Sequence, residues 1–225
     1  FIFCNPHNPV GRVWTEDEIA KLGAICAKHN VIVVSDEIHS DLIMPGHKHV
    51  AFANACKDAL PKYLVCTAPS KTFNLATLQT SNIVIPDEEL EQIPDILQQH
   101  FTPSAGALGL EAAVSATRSA KVGLQKSSTL STKLQELLQV HRRKLPGCYI
   151  QRSAGTYLMW IDCTTFGLDD EALDKLLRKH DLFCDAGTLF SQGGTMHTRV
   201  NPQVPKDAHA AMQRFKDAYD EAKNA

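Results

Sequence analysis

Three short stretches bring together side chains that could capture a carbonyl compound. Lys71 lies in Ala-Pro-Ser-Lys-Thr-Phe-Asn (Ala68 to Asn74), after an apolar run and beside the Ser70 hydroxyl. Asp36 lies in Ser-Asp-Glu-Ile-His (Ser35 to His39), after a second apolar run, and Asn8 in Asn-Pro-His-Asn-Pro-Val-Gly (Asn5 to Gly11). A lysine amine forms a Schiff base with an aldehyde. A carboxylate keeps a heterocyclic nitrogen protonated, and a polar group hydrogen-bonds a ring oxygen. The three together suit an aldehyde cofactor built on a pyridine ring. Ser70 adds a hydroxyl suited to a phosphate. Each residue also has a plainer reading: a solvated lysine, an aspartate capping a helix, an asparagine in a turn. Arg199, in Thr198-Arg199-Val200-Asn201, reads by pattern alone as an ion pair at a strand rim.

The elements around these residues alternate between strand and helix. Phe1–Cys4 is an apolar strand, followed by the Asn- and Pro-rich turn. Thr15 and Glu18 form a capping box, and Ile19, Leu22, Ile25 and Cys26 give a helix stripe ending near His29–Asn30. Val31–Val34 is a continuous β-branched run, as in a strand buried on both faces, and Leu64–Thr67 and Asn82–Ile85 repeat the pattern. The rhythm predicts a parallel sheet covered by helices, with Lys71 and Asp36 beyond its carboxyl ends, where ligands collect in open α/β sheets.

The later part reads as α+β. Helices are predicted over Ala105–Ala120, Leu130–His141 and Asp169–His180, and from Pro205, with Ala208, Met212, Phe215 and Tyr219 inward. Tyr149–Arg152 and Thr156–Asp162 form an antiparallel pair through Ser153-Ala154-Gly155, and Leu182–Cys184 and Thr198–Asn201 are further strands. Two domains are expected, 1–128 and 129–225. Glu37, Met159 and Trp160 read as structural or core, Gly46-His47-Lys48-His49 as a loop, and Gly193-Gly194 as a turn.

Composition narrows the class. Of 225 residues, 44% are hydrophobic and 21% charged, ordinary for a globular protein. A net charge of −2 gives no electrostatic reason to expect nucleic acid or a membrane surface. No apolar run approaches the ~20 residues of a membrane span. Seven widely spaced cysteines without a Cys-x-x-Cys argue against a disulfide framework or a zinc site, and for a reducing, cytoplasmic compartment. Phe1 falls inside an apolar strand, which reads as a chain lacking an N-terminal portion.

The motifs around Asn8, Asp36 and Lys71 resemble the fold-type-I pyridoxal-phosphate enzymes, and their wording is similar to the carbon–sulfur lyase branch, the cystathionine β-lyase family. The resemblance implies a parallel-sheet large-domain remnant and a smaller C-terminal α+β domain. Lys71 becomes the residue bound to pyridoxal 5′-phosphate and then the base that moves the Cα proton. Asp36 pairs with the ring nitrogen, Asn8 with the ring oxygen, and Ser70 with the phosphate. His39 stands where many relatives direct a tyrosine at that oxygen. Arg199 becomes a bidentate fork for the α-carboxylate of an amino-acid substrate. The family's glycine-rich phosphate turn and its ring-stacking aromatic have no counterpart here. Thr77 replaces a frequent glycine, and Gln79 stands where aminotransferases use arginine. The implied activity is β-elimination from sulfur amino acids by a homodimer. An aminotransferase of class I/II, and a non-catalytic remnant unable to hold cofactor, are the alternatives.

Overall fold

The computed structural model describes residues 1–59, 61–90, 92, 95, 105–118, 145, 147–201 and 205–224. The chain divides into two units: Phe1–Pro6 with Arg12–Ser127, and His7–Gly11 with Ser128–Ala225. The expected division kept the whole Asn5–Gly11 turn in the first domain. The structure instead groups His7–Gly11 with the second.

The first unit contains β1 (Ile2–Cys4), α1 (Glu16–Lys28), β2 (Val33–Asp36), α2 (Phe52–Ala55), β3 (Tyr63–Thr67), β4 (Asn82–Val84) and α3 (Ala107–Arg118). Its sheet has the order β1-β2-β3-β4. The first three strands are parallel, with Cys4 opposite Asp36 and Asp36 opposite Cys66. Helix α1 starts where the sequence places it. The Thr15 hydroxyl accepts from the Glu18 amide at 3.3 Å, and the Glu18 carboxylate accepts from the Thr15 amide at 3.0 Å. Its buried face, Ile19, Gly23 and Cys26, meets a core of Phe3, Val33, Phe52 and Cys56. A Cβ at residue 23 would strike the Cys56 thiol, so glycine sets how closely α1 approaches α2. Each large apolar side chain in this core contributes about 1.5–3 kcal/mol by leaving water.

Strand β4 corrects the all-parallel expectation. It pairs antiparallel with β3, Thr67 opposite Asn82, and its residues are exposed. A parallel return needs a crossover, usually helical. Between β3 and β4 the regular structure is one 3₁₀ turn, Ala76–Leu78, so the chain doubles back.

The second unit contains β5 (Tyr149–Ile150), β6 (Met159–Asp162), α4 (Asp170–Lys179), β7 (Asp185–Ala186), β8 (His197–Val200) and α5 (Pro205–Asn224). The sheet order is β5-β6-β8-β7, with every pairing antiparallel. The apolar faces of β6, α4 and α5 close one core. There Phe166 lies edge-on to Phe215 and Tyr219, at ring distances of 5.7 and 5.2 Å. Glu221 on α5 takes Lys179 at 2.5 Å and His180 at 2.9 Å, joining α5 to the end of α4. The strand expected at Leu182–Cys184 lies instead at Asp185–Ala186, because pairing with β8 rather than apolarity defines it. The helix expected over Leu130–His141 lies outside the described residues.

Candidate active site

Asp36 is the last residue of β2, and Lys71 lies in the turn that follows β3, so both stand at the carboxyl end of the parallel strands. The Lys71 turn is tightly wound: the Phe73 amide donates to the Pro69 carbonyl and the Leu75 amide to the Ser70 carbonyl, each at 2.9 Å. It is also tied sideways, since the Thr72 hydroxyl donates to the Asp41 carboxylate at 3.0 Å. Ser70 and Lys71 are half-buried, and Lys71 has no ion-pair partner among the described residues. Asp36 accepts the Ile38 amide through Oδ1 at 3.2 Å, while Oδ2 has no hydrogen bond among the described residues. Burial, then the nearby Asp36 charge, push the Cys66 thiol above its ordinary range, so it stays protonated beside the aspartate.

The residues flanking Asp36 are fixed from below. Glu37, 3% exposed, accepts from the Ser35 hydroxyl, the Phe52 amide and the His49 ring, all at 2.9 Å. This gives Glu37 the structural part expected of it, and ties the Gly46–His49 loop through His49. His39 is buried, 2% exposed. Three parallel apolar runs with polar residues just past their ends gave the sequence signal for Asp36 and Lys71. The Thr72–Asp41 tie had none.

Asn8 and Arg199 meet within the second unit. The Arg199 Nη1 donates to the Asn8 carboxamide oxygen at 2.9 Å, which leaves only the Asn8 NH₂ for a further acceptor. Asp185, directly across from Arg199 on β7, accepts from Nε at 3.0 Å and from Nη2 at 2.7 Å. The Phe190 ring lies 4.6 Å from the guanidinium carbon. Burial pushes the Tyr157 phenol up, while the Arg199 charge pulls it back down.

The turn carrying Asn8 is held by its last residue. The Gly11 carbonyl accepts from the Ala154 amide at 2.8 Å and the Gly155 amide at 3.0 Å. Gly11 has φ +75°, and a Cβ there would collide with Ser153, so glycine is required on both counts. Beside Asn8 lies a recess of about 280 Å³ lined by His7, Pro9, Trp160, Phe190 and Gly194. That volume is near the lower end for small-molecule sites and fits an amino-acid-sized ligand. Trp160, expected in the core, instead lines this recess, edge-on to Phe190 at 5.7 Å and stacked on His197 at 5.2 Å.

A lysine turn and an aspartate at parallel strand ends, together with an arginine held by an asparagine, invite comparison with known proteins. The model for aminotransferase class I and II matches residues 1–215. The chain belongs to the class I and II aminotransferase family. Among curated relatives of this family member, cystathionine beta-lyase PatB of Bacillus subtilis is 38% identical over 204 residues, covering 89% of this chain and 53% of the relative. Among solved structures, cystalysin from Treponema denticola, described as containing a pyridoxal 5′-phosphate cofactor, has a TM-score of 0.92. It is 32% identical, over 98% of this chain and 57% of that one. A PLP-bound C-S lyase from Staphylococcus hominis has a TM-score of 0.88 and is 30% identical, over 98% and 58% of the two chains. The chain thus spans about half the length of the curated relatives it matches. Among the described residues, no helix is long and apolar enough to cross a membrane.

Proposed function

We propose that this family member is part of a pyridoxal-5′-phosphate-dependent carbon–sulfur β-lyase that releases a thiol, pyruvate and ammonia from sulfur amino acids. The observation that carries the reading is the placement of Lys71 and Asp36 at the carboxyl end of one parallel pair. The donor chemistry fits the group: an amine without an ion-pair partner among the described residues, and a carboxylate oxygen with no hydrogen bond among them. When bound, the cofactor supplies an aldehyde carbon and a protonated ring that draws electrons from the substrate Cα.

The residues divide the remaining work. Lys71 holds the aldehyde carbon through Nζ and, once released, takes the substrate's Cα proton on the same nitrogen. Asp36 keeps the ring nitrogen protonated by pairing a negative charge with it. The Ser70 hydroxyl donates to the phosphate, and the free NH₂ of Asn8 donates to the ring oxygen. Arg199 takes the substrate α-carboxylate, which fixes the Cα bond to be broken. The names of relatives such as PatB and the S. hominis C-S lyase support elimination. The description of the matched family favours transamination as a second reading. The 225-residue chain by itself is expected to bind the cofactor weakly or not at all, since by the resemblance Gln79 stands where a charge would meet the phosphate.

The deciding experiment supplies the whole protein with cystathionine or cysteine. Stoichiometric pyruvate and free thiol support elimination. Exchange of the amino group onto a keto acid without thiol release overturns it. We place the protein in the cytoplasm, on the reducing environment that its spaced cysteines suit. We further infer a homodimer, on the family resemblance. A light-scattering mass of one chain at micromolar concentration, with full activity, contradicts that.

A further inference from the structure

We propose that Asp185 is a positioning residue that holds Arg199 in the one orientation presenting two parallel donors to an α-carboxylate. The inference rests on the reading of Arg199 given above and extends it to a residue outside the lysine and aspartate motifs. A guanidinium has five N–H donors. Asp185 takes the one on Nε and one on Nη2, and Asn8 takes one on Nη1. By count, one hydrogen remains on each terminal nitrogen, and a carboxylate is held bidentately by one hydrogen from each. Phe190 lies 4.6 Å from the guanidinium carbon and limits its tilt. The arrangement is built into the sheet, because Asp185 of β7 and Arg199 of β8 are register partners and their side chains leave the same face.

Asp185 could instead compete with an incoming carboxylate for the guanidinium. Two features favour positioning. Both of its contacts go to the Nε side of the fork, through the single oxygen Oδ2, and leave a hydrogen on Nη1 and another on Nη2. Its side chain is also about half exposed, 49%, so water screens its repulsion of a ligand, whereas the hydrogen-bond geometry it imposes is not screened. Arginine carries many rotamers, and fixing it before the ligand arrives removes that ordering cost from binding.

The test uses the whole protein and two ligands that cannot eliminate: L-alanine, which has the carboxylate, and L-alaninamide, which lacks it. Affinities are read by ligand-observed NMR titration. The parent protein is expected to hold L-alanine more tightly than L-alaninamide. Asp185→Ala should weaken L-alanine by about tenfold, the size of one charge-assisted hydrogen bond, and leave L-alaninamide unchanged. Asp185→Asn, which keeps an accepting oxygen without the charge, should recover most of the loss. With a sulfur amino acid as substrate, KM should rise in Asp185→Ala by more than kcat falls. Tighter or unchanged L-alanine binding in Asp185→Ala overturns positioning, as does equal weakening of both ligands. A parent that binds the two ligands alike removes Arg199 from carboxylate capture and defeats the reading beneath. Discrimination with no thiol release from any sulfur amino acid defeats only the lyase assignment.

Discussion

The Thr72 hydroxyl donates to the Asp41 carboxylate at 3.0 Å, tying the turn that carries Lys71 to the segment that follows Asp36. One hydrogen bond thereby couples the amine and the carboxylate expected to hold the cofactor, through their neighbours in sequence. The bond is exposed, so its net worth is about 1 kcal/mol. Thr72→Val should weaken pyridoxal-phosphate binding roughly fivefold, the equivalent of that energy, without removing the capture of the aldehyde. Absorbance titration of the whole protein measures it. Affinity equal to the parent's means the tie does not position Lys71.

Replacement of Lys71 makes a sharper demand. Lys71→Ala should abolish both elimination and the cofactor's covalent attachment after borohydride reduction, while leaving the fold intact, because the side chain is only half-buried and its turn is held by backbone bonds. Peptide mapping of the reduced parent should find the label on Lys71. A label that persists in Lys71→Ala assigns the chemistry to another lysine.

What the sequence made legible was local. The Thr15–Glu18 capping box and the turn around Lys71 are each specified within a few residues and form where the pattern puts them, whereas the strand expected at Val31–Val34 forms two residues later, at Val33–Asp36, with Ile32 exposed. What depends on pairing across the chain was not legible. The direction of β4 follows from the short connection behind it. The partnership of Asp185 with Arg199 follows from a two-residue strand whose position is set by β8 rather than by its own apolarity. Asn8 could be read as a polar turn residue, but its grouping with Arg199 depends on the Gly11 carbonyl gripping Ala154 and Gly155, which no local pattern encodes.

Glu37 should behave as structure rather than chemistry. It satisfies a buried backbone amide, a hydroxyl and an imidazole at once, so truncation strands several polar groups. Glu37→Ala should cost about 2–4 kcal/mol in urea unfolding, and Glu37→Gln less, because the amide oxygen still accepts from Phe52. A loss below about 0.5 kcal/mol in Glu37→Ala would place this network outside the core's stability, at the level of an ordinary surface change.

The thiol of Cys56 gives the first unit a dependence on alkaline pH. Burial, with Cys26 adding to it and a backbone hydrogen bond with Gly23 opposing, pushes its pKa from the ordinary 9.0 up to about 11. Below pH 9 the thiol is protonated in both folded and unfolded chains, so it contributes no pH dependence. Between 9 and about 11 the unfolded chain releases the proton while the folded chain retains it. Unfolding is therefore favoured by about 1.4 kcal/mol per pH unit from this group. Cys56→Ala removes that share. At pH 8 the variant should be less stable than the parent by about 1 kcal/mol, for lost packing around α1. At pH 10.5 the gap should close or reverse, since only the parent carries the titration. Urea midpoints at the two pH values decide it. A difference between parent and variant that stays constant from pH 8 to 10.5 means the Cys56 thiol ionises as easily in the folded unit as in the unfolded chain, and the burial around it does not resist charge.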